Sequence, residues 1–405
     1  MLIANSSGFY YFFYICGGLL LLQGLIALSG GFRYLSYVRA SIRPAPKEPN
    51  PFTPRVALIA PCKGLDDRMG DYLRSIFELD YPDYQIIFVV ESDTDSAATE
   101  IARFRERYPN IKSECVIAGR SRDCGQKVHN LLAAIAVAGA DVEAFAFVDS
   151  DVCLRKDWLR SLVAPLEDPQ VGATTGYRWF IPSGSFASLL RSAWNASIAT
   201  TLGGHRNNFA WGGSMAILRR TFERIDMPGY WKGTVSDDFA LTRAVKAAGL
   251  YVKFVPACLV PSLGNCTMSE LLEFTSRQII ITRVYSGGLW RLLLISNIFF
   301  NLIFSLGIFL SVYSLLTEHG IWPMVITASI YLLSVWKGYL RIEAIKLILV
   351  EYEIQHRWGY YLLAPVVSLI FLHNLFVSIS TNRITWRGIT YELRSVNETA
   401  IAREG

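Results

Sequence analysis

The sequence has few charged residues, and they show no arrangement that would suit a nucleic acid. Only 18% of its residues are Asp, Glu, Lys or Arg, whereas 52% are hydrophobic and the mean hydropathy is +0.30. This composition is too apolar for an ordinary soluble protein. The net charge of +5 is small and the basic residues form no long stripe, so we expect no nucleic-acid partner.

Cysteine is scarce and widely scattered. The seven cysteines form no Cys-x-x-Cys pair and no cluster with histidine, which argues against a zinc site and a disulfide framework. Separated thiols in odd number are typical of a reducing compartment. We therefore expect the soluble part of the chain to be cytoplasmic.

No basic residue precedes the first apolar run, which argues against a cleaved signal peptide. Residues 9–28 contain Gln23 as their one strongly polar side chain, and twenty helical residues span about 30 Å. Residues 1–32 are therefore predicted to be a transmembrane anchor. Arg33, Arg39 and Arg43 follow it, and the positive-inside rule places the next segment in the cytoplasm.

Further apolar runs fill the C-terminal third, so residues 291–381 are predicted to be a transmembrane region after an interfacial helix at 274–290. Residues 341–352 mix charges with Ile and Leu, which favours a second interfacial helix. Three spans would leave the basic tail, 382–405, outside the cytoplasm, whereas its arginines favour the inside. Either one segment is re-entrant or the interfacial stretch crosses.

The middle of the chain predicts an α/β domain. A proline-rich linker, 33–54, leads into residues 55–273, where short strands and helices alternate. Strands are predicted near 55–60, 85–90, 114–117 and 144–148, with helices between them. This alternation is typical of a mostly parallel sheet with helices on both faces.

The strand at 144–148 ends in Asp149 and Asp151. Alternate residues of an extended segment point the same way, and α/β sheets bind ligands at the carboxyl ends of their strands. Two adjacent carboxylates suit Mg²⁺ or Mn²⁺ carrying phosphates. The alternative is a solvated loop, because Asp-x-Asp is a common pattern. Polar clusters at 62–64 and 91–95 are expected at the same edge.

A helix is predicted to begin after Ser236, a good N-cap, and to stop at Gly249. Asp237 and Asp238 then lie in its first turn. Acids there complement the helix dipole, and local chemistry alone favours this structural explanation.

Together these pieces resemble one family. The motifs at 61–64, 91–95, 126–131, 148–151, 212–215, 236–239 and 386–391 are similar, in order and spacing, to those of membrane glycosyltransferases of the GT-A fold. Within that group the chain is most similar to ceramide glucosyltransferases and their bacterial relatives. The resemblance implies a Rossmann-like, mostly parallel α/β catalytic domain with N- and C-terminal transmembrane helices.

The resemblance also implies residue roles. Asp238 is expected to be the base that activates the acceptor, with Asp237 as a neighbouring acid. Asp149 is expected against the nucleotide sugar and Asp151 on Mn²⁺ or Mg²⁺. Arg283 is expected to act on the leaving diphosphate.

Other side chains are expected to bind donor or acceptor. The remaining donor residues are Pro61, Lys63, Glu91, Asp93, Lys127, Asn130 and Gln278, and the acceptor residues are Gly213, Ser214 and His205. The sequence departs from the family at two places. Glu91 stands near a position that the family usually fills with Asp. The family's downstream signature is Gln or Arg, two residues and then Arg-Trp, whereas here Arg283 is followed by Val284 and Tyr285.

The implied function is an inverting, metal-dependent transfer of a sugar, glucose or a similar one, from a UDP-sugar to the hydroxyl of a membrane lipid. The enzyme would be a multi-pass membrane protein with its catalytic domain facing the cytoplasm, in a bacterial inner membrane or a eukaryotic Golgi or ER membrane. One alternative is a processive polysaccharide synthase of the same fold. Another is a non-catalytic membrane protein with a degenerate nucleotide domain.

Overall fold

The computed structural model describes residues 6–42, 52–65 and 68–402. The chain forms two compact units. The helical unit comprises Met1–Arg39, Ile181–Thr201 and Gly264–Thr381, and the α/β unit comprises Ala40–Phe180, Leu202–Leu263 and Asn382–Gly405. Of the predicted proline-rich linker, residues 33–41 belong to the helix Ser6–Ser41, and residues 43–51 lie outside the described residues.

A seven-stranded sheet forms the centre of the α/β unit. Numbered along the chain, its strands are β1 (Val56–Pro61), β2 (Tyr84–Val90), β3 (Ser113–Ile117), β4 (Ala144–Val148), β5 (Val171–Ile181), β6 (Ser214–Leu218) and β7 (Tyr251–Leu263). Their order is β3-β2-β1-β4-β6-β5-β7. The ladders β2–β3, β1–β2 and β1–β4 are parallel, and β6 runs antiparallel to both β4 and β5. The predicted α/β fold class is confirmed.

Helices cover both faces of this sheet. Those of the α/β unit are α2 (Met69–Phe77), α3 (Ser96–Arg107), α4 (Gln126–Val137), α5 (Trp158–Val163), α7 (Arg219–Arg224), α8 (Met227–Trp231) and α9 (Asp237–Ala247), with a 3₁₀ turn at Ala164–Glu167. Alternate residues of β1 enter opposite cores: Leu58 packs with α2, α3 and α5, and Ile59 packs with α4 and α9. Burial on both faces explains why β1, β2 and β4 are continuous apolar runs.

The parallel strands β2, β1 and β4 end side by side. The polar clusters at 62–64, 91–95 and 149–151 follow these three strands directly. The expectation that they meet at one edge of the sheet is therefore confirmed.

The C-terminal tail belongs to the α/β unit and is folded. It forms an antiparallel sheet of β8 (Arg383–Trp386), β9 (Ile389–Ser395) and β10 (Glu398–Ala402). Along β9, Ile389, Tyr391 and Leu393 are buried and their neighbours are more exposed. The segment predicted as a basic tail thus contains three strands, and the alternation along β9 is typical of a strand.

Long apolar helices make up the helical unit. They are α1 (Ser6–Ser41), α6 (Phe186–Ala199), α10 (Met268–Tyr285), α11 (Gly287–Thr317), α12 (Trp322–Ile348), α13 (Trp358–Leu362) and α14 (Ala364–Ser380). Among the described residues, α1 and α11 are long and apolar enough to cross a membrane by length and composition. The stretch predicted as one interfacial helix, 274–290, is divided between α10 and α11. Most of the stretch at 341–352 continues α12.

Close helix contacts at small residues hold this unit together. A Cβ at Gly17 or Gly24 of α1 would lie 2.9 or 2.8 Å from side-chain atoms of α12. Polar pairs add to the packing, because Asn374 of α14 accepts hydrogen bonds from Thr275 and Ser276 of α10. Such contacts are typical of helices that associate in a membrane.

The packing of β5 predicts a strong effect of one methyl group. A Cβ at Gly176 would lie 1.8 Å from the Cys258 carbonyl oxygen and 2.5 Å from Ser214 Oγ. We expect Gly176→Ala to destabilise the protein by at least about 3 kcal/mol, because backbone atoms cannot give way. Thermal unfolding of the purified protein measures this.

Gly70→Ala on α2 is the matched control. Its Cβ would meet only Phe104, at 3.9 Å, which is ordinary contact. A helix position tolerates alanine, so the stability should change by no more than about 1 kcal/mol. Equal effects of the two substitutions would contradict the packing described for β5.

Candidate active site

Glu91 is the carboxylate held in place at the end of β2. Lys63 Nζ lies 3.0 Å from Glu91 Oε2, and Arg120 Nε lies 3.0 Å from Oε1. Burial alone would raise the pKa of Glu91, but the hydrogen bonds from Lys63 and Arg120 outweigh it, so the pKa is below its ordinary value. Asp93, the other candidate for this position, is exposed.

Asp95 has a structural role in the same cluster. Its carboxylate caps α3 by accepting from Ala97 N and also accepts from Gly64 N, each at 2.9 Å. It thereby joins the turn after β1 to the turn after β2.

Opposite charges alternate around the end of β4. Lys127 Nζ, on the first turn of α4, lies 2.8 Å from Asp149 Oδ1 and 3.1 Å from Asp237 Oδ2. Arg178 Nη2, on β5, lies 3.0 Å from Asp149 Oδ2 and 2.7 Å from Asp151 Oδ1. The result is one row of charges, Asp237–Lys127–Asp149–Arg178–Asp151, which we call the charge row. It joins three of the predicted acids to a predicted lysine and to an arginine that the sequence analysis missed.

Arg178 could have been found from the sequence. It is the one ionisable side chain apart from Tyr177 in the eleven-residue strand β5, whose other residues are almost all buried. Its guanidinium lies 5.1 Å from the ring centre of Trp211 and 5.5 Å from that of Phe180. A charge within an apolar strand that is buried on both faces needs partners of opposite charge. A single arginine in such a run therefore indicates, from the sequence alone, a buried ionic contact.

Gly212 and Gly213 let the backbone pass close to these charges. A Cβ at Gly212 would lie 2.2 Å from Asp237 Oδ2, and one at Gly213 would lie 2.5 Å from Asp149 Oδ2. Larger residues would displace the carboxylates. The two glycines therefore fix the shape of the site, beyond any contact with an acceptor.

The helix α9 begins as predicted. Ser236 caps it by accepting from Phe239 N, and Asp237 and Asp238 occupy its first turn. Asp238 Oδ1 accepts from Phe239 N at 2.7 Å and from the Ser236 hydroxyl, and Oδ2 accepts from Gly212 N at 3.3 Å. Asp238 is half-buried whereas Asp237 is 2% exposed. The less buried carboxylate, on the outer side of the pair, is the one accessible to a substrate.

Two acids of the charge row, Asp237 and Asp149, have opposite pKa shifts. Burial raises the pKa of Asp237 to about 6, against the opposing charge of Lys127 and with the support of Asp238. Burial also acts on Asp149, but Lys127 and Arg178 outweigh it, and its pKa is lowered. The pKa of Lys127 is raised because its two carboxylates outweigh its burial.

Other predicted residues have supporting positions. Asn130 is buried and accepts from Gln126 Nε2 at 2.8 Å, and Pro61 ends β1. Ser214 is fully buried. Its hydroxyl accepts from Trp158 Nε1 at 2.9 Å and donates to the Cys258 carbonyl at 3.1 Å, so it stabilises the sheet and is not available to an acceptor.

Three further candidates lie outside the charge row. His205 is exposed on the loop after α6. Gln278 and Arg283 lie on α10 of the helical unit, where Arg283 Nη2 donates to the Thr381 carbonyl at 3.2 Å. Their roles stay predictions.

A divalent cation fits the site only with help from a ligand. Across the described residues, no three His, Cys, Asp or Glu side chains are grouped so that they could hold a metal alone. Asp149 and Asp151 nevertheless offer carboxylate oxygens side by side, because Arg178 Nη2 touches both. Mg²⁺ is commonly bound by one or two carboxylates together with substrate phosphates, and this pair suits that arrangement.

The sequence match and the α/β fold together define a glycosyltransferase. The chain belongs to glycosyl transferase family 21, whose model matches residues 20–399. This confirms the predicted family and the predicted class of enzyme, a glycosyltransferase.

Curated relatives match over a shorter stretch. Ceramide glucosyltransferase 1 of Caenorhabditis elegans is 25% identical over 119 residues, which is 29% of this chain and 25% of that protein. Ceramide glucosyltransferase 3 of the same organism is 24% identical over 123 residues, 30% of this chain and 26% of that protein. The matches thus span about a quarter of the length of these relatives.

Two solved structures are similar at low identity. A mannosyltransferase from Pyrobaculum calidifontis, solved with GDP-Man and Mn²⁺, is 16% identical with a TM-score of 0.46, covering 91% of this chain and 98% of that one. Glucosyl-3-phosphoglycerate synthase from Mycobacterium tuberculosis, solved with Mn²⁺ and UDP-glucose, is 14% identical with a TM-score of 0.39, covering 58% and 79%. Both scores are below 0.5, so the assignment rests on the family match.

The raised pKa of Asp237 predicts a pH-dependent stability. The unfolded chain releases this proton near 3.8, whereas the folded chain holds it up to about 6. The carboxyl therefore contributes stability below about pH 4, and this contribution is lost as the pH rises through 6. Asp237→Asn has no carboxyl at this position and therefore does not lose this contribution. The thermal midpoint of the variant, minus that of the parent, should increase as the pH rises from about 4 to 6.

Thermal unfolding of both proteins from about pH 4.5 to 7.5 measures this difference. Lys127 keeps Asp149 as a partner in the variant, so the charge row is shortened but not left with an isolated cation. A difference that stays constant with pH would contradict the shifted pKa.

Proposed function

We propose that the chain transfers a hexosyl group, glucose in the first instance, from a UDP-sugar to the hydroxyl of a membrane lipid with inversion at the anomeric carbon. The observation that supports this proposal most directly is the charge row at the carboxyl edge of the sheet, next to Asp238. The chain's membership of glycosyl transferase family 21 supports it as well. The names of the two nematode relatives support glucose as the sugar and ceramide as one acceptor to test.

The donor side of the site follows from its charges. Lys127 and Arg178 hold Asp149 from two sides, which fixes its carboxylate for hydrogen bonding to the sugar. Asp151, with Asp149 beside it, would hold Mn²⁺ or Mg²⁺ on the diphosphate, where the cation supplies Lewis-acid stabilisation of the leaving group.

The acceptor side centres on Asp238. The lipid hydroxyl oxygen forms a bond to the anomeric carbon while the bond from that carbon to the diphosphate oxygen breaks. The hydroxyl proton passes to Asp238 Oδ2, which accepts one long hydrogen bond from Gly212 N, at 3.3 Å. Oδ1 is already occupied by Phe239 N and Ser236. One displacement inverts the centre and needs no second carboxylate nucleophile.

The helical unit supports a membrane acceptor. Helices α1 and α11 have the length and composition of membrane spans. The tail strands belong to the same unit as the catalytic sheet, so the chain must return to the side it left. We therefore place an even number of crossings between residues 264 and 381 and, from the arginines after the first span, the catalytic unit in the cytoplasm. This arrangement removes the conflict between three spans and a basic tail.

The base assignment predicts a large loss on Asp238→Asn. An amide cannot accept the hydroxyl proton, so transfer should fall by about 10²–10⁴-fold. Purified protein is incubated with UDP-glucose, Mn²⁺ and ceramide or diacylglycerol, and the glycolipid is measured by mass spectrometry.

Glu223→Gln is the control, because this acid is 67% exposed on α7 of the same unit. It should keep full activity. Full activity of Asp238→Asn would show that another group is the base. If the parent consumes no UDP-sugar, the proposed transfer from a UDP-sugar is refuted.

The cation assignment predicts a second phenotype. Asp151→Asn should raise the Mn²⁺ concentration needed for half-maximal binding by at least about tenfold, because one carboxylate ligand is lost. Calorimetric titration of Mn²⁺ in the presence of UDP measures this without turnover. Asp157→Asn, at a partly exposed acid of the same unit, should leave the titration unchanged. Identical Mn²⁺ affinity in the parent and Asp151→Asn would exclude Asp151 as a ligand.

A further inference from the structure

An arginine occupies an unusual backbone conformation at the tip of the tail sheet. Strands β8 and β9 pair up to Trp386 and Ile389, which leaves a two-residue turn. Arg387 has φ 50° and Gly388 has φ 81°. A two-residue hairpin with both φ values positive is a type I′ turn, which favours Asn or Gly at its first position. Strained residues of this kind concentrate at functional sites.

The sheet that carries this turn is fastened to the elements that bear the charge row. Tyr391, 2% exposed on β9, accepts a hydrogen bond from Gln126 N at 3.1 Å, and Gln126 directly precedes Lys127. The turn precedes Tyr391 in the chain: Gly388 is three residues and Arg387 four residues before it, roughly 10–13 Å along an extended strand. The hairpin tip therefore belongs to the strand that is fastened beside Lys127.

The far end of the tail sheet is fastened near α9. Thr399 Oγ1 donates to the Gly233 carbonyl at 2.8 Å, and Arg243 Nη2 donates to Asn397 Oδ1 at 2.8 Å. A Cβ at Gly233 would lie 2.0 Å from the Asn397 carbonyl oxygen. Contacts at both ends fix the direction of the sheet, and hence the place of the turn.

The charge of Arg387 acts at the end of a central strand of the sheet. Burial raises the pKa of Cys62, which directly follows β1, to about 12, and Arg387 acts against this rise. This effect agrees with a guanidinium on the side of the carboxyl edge where β1 ends.

A diphosphate would need such a cation. The acids around β4 and α9 number four (Asp149, Asp151, Asp237 and Asp238), and the cations paired with the charge row number two (Lys127 and Arg178). With all of them ionised, the excess of two negative charges would repel an incoming diphosphate. A cation on Asp151 offsets part of this excess, and a guanidinium from the tail offsets more.

We propose that Arg387 is a donor-binding residue, and that the tail sheet forms a wall of the nucleotide-sugar site by holding its guanidinium against the diphosphate. This inference rests on the proposed function, since it needs a nucleotide-diphosphate donor. It assigns to the tail a role in recognising the donor, in addition to its contacts with Gln126 and Gly233.

The test compares two ligands that differ in the diphosphate. Full-length protein is purified in detergent with Mn²⁺, UDP binding is measured by calorimetry, and uridine is measured by its displacement of UDP. Arg387→Gln should weaken UDP binding about tenfold or more and leave uridine binding unchanged, because a charge-assisted hydrogen bond to phosphate is lost. Arg387→Lys should keep most of the affinity for UDP.

The variants are matched to the turn. Gln and Lys are unbranched like Arg, so neither adds strain at the positive φ. Arg394→Gln removes a half-exposed cation from β9 that pairs with Glu392 and Glu398, and it should bind UDP like the parent.

Three results would overturn the inference. Unchanged UDP affinity in Arg387→Gln would show that Arg387 does not touch the donor. Equal weakening of UDP and uridine would show a structural effect. A parent protein that binds neither UDP nor any UDP-sugar would refute the proposed function and this inference with it, and that result is separate from the first two, in which the parent binds.

Discussion

The ammonium group of Lys127 is the interaction on which the site depends. It lies 2.8 Å from Asp149 and 3.1 Å from Asp237, two carboxylates that come from different strands and helices of the sheet edge. Without a cation between them, the charges of the buried Asp237 and the partly buried Asp149 would repel each other and disfavour ionisation of both. One lysine therefore ties the start of α4 to the end of β4 and the start of α9, and the glycines at 212 and 213 leave room for the contact.

Local patterns predicted the framework of this site. The strand at 144–148 has the predicted bounds, and Ser236 and Gly249 mark the start and stop of α9 as expected. These features depend on hydrophobic runs and caps, which a short stretch of sequence determines by itself. The family resemblance then selected Lys127 and the acids from many polar residues, and the structure brings Lys127 together with Asp149 and Asp237.

Contacts between distant segments could not be predicted in the same way. Arg178 joins Asp149 to Asp151 across the sheet, and that pairing depends on the antiparallel insertion of β6. Ser214 looked like an acceptor residue beside two glycines, but the register of β6 turns its hydroxyl toward Trp158. The strands of the tail were not predicted, because its arginines drew attention to the side of the membrane, whereas the alternation of its buried residues is typical of a strand.

The position of Tyr391 has a consequence for biosynthesis. The residue that braces the start of α4 lies 265 positions further along the chain, after every long apolar helix. The ribosome makes this segment after those helices. All seven strands of the α/β sheet are made earlier, but the edge that carries Lys127 stays unbraced until β9 has been made. Changes in the tail strands therefore act on the candidate active site, although the tail is far from that site in the sequence.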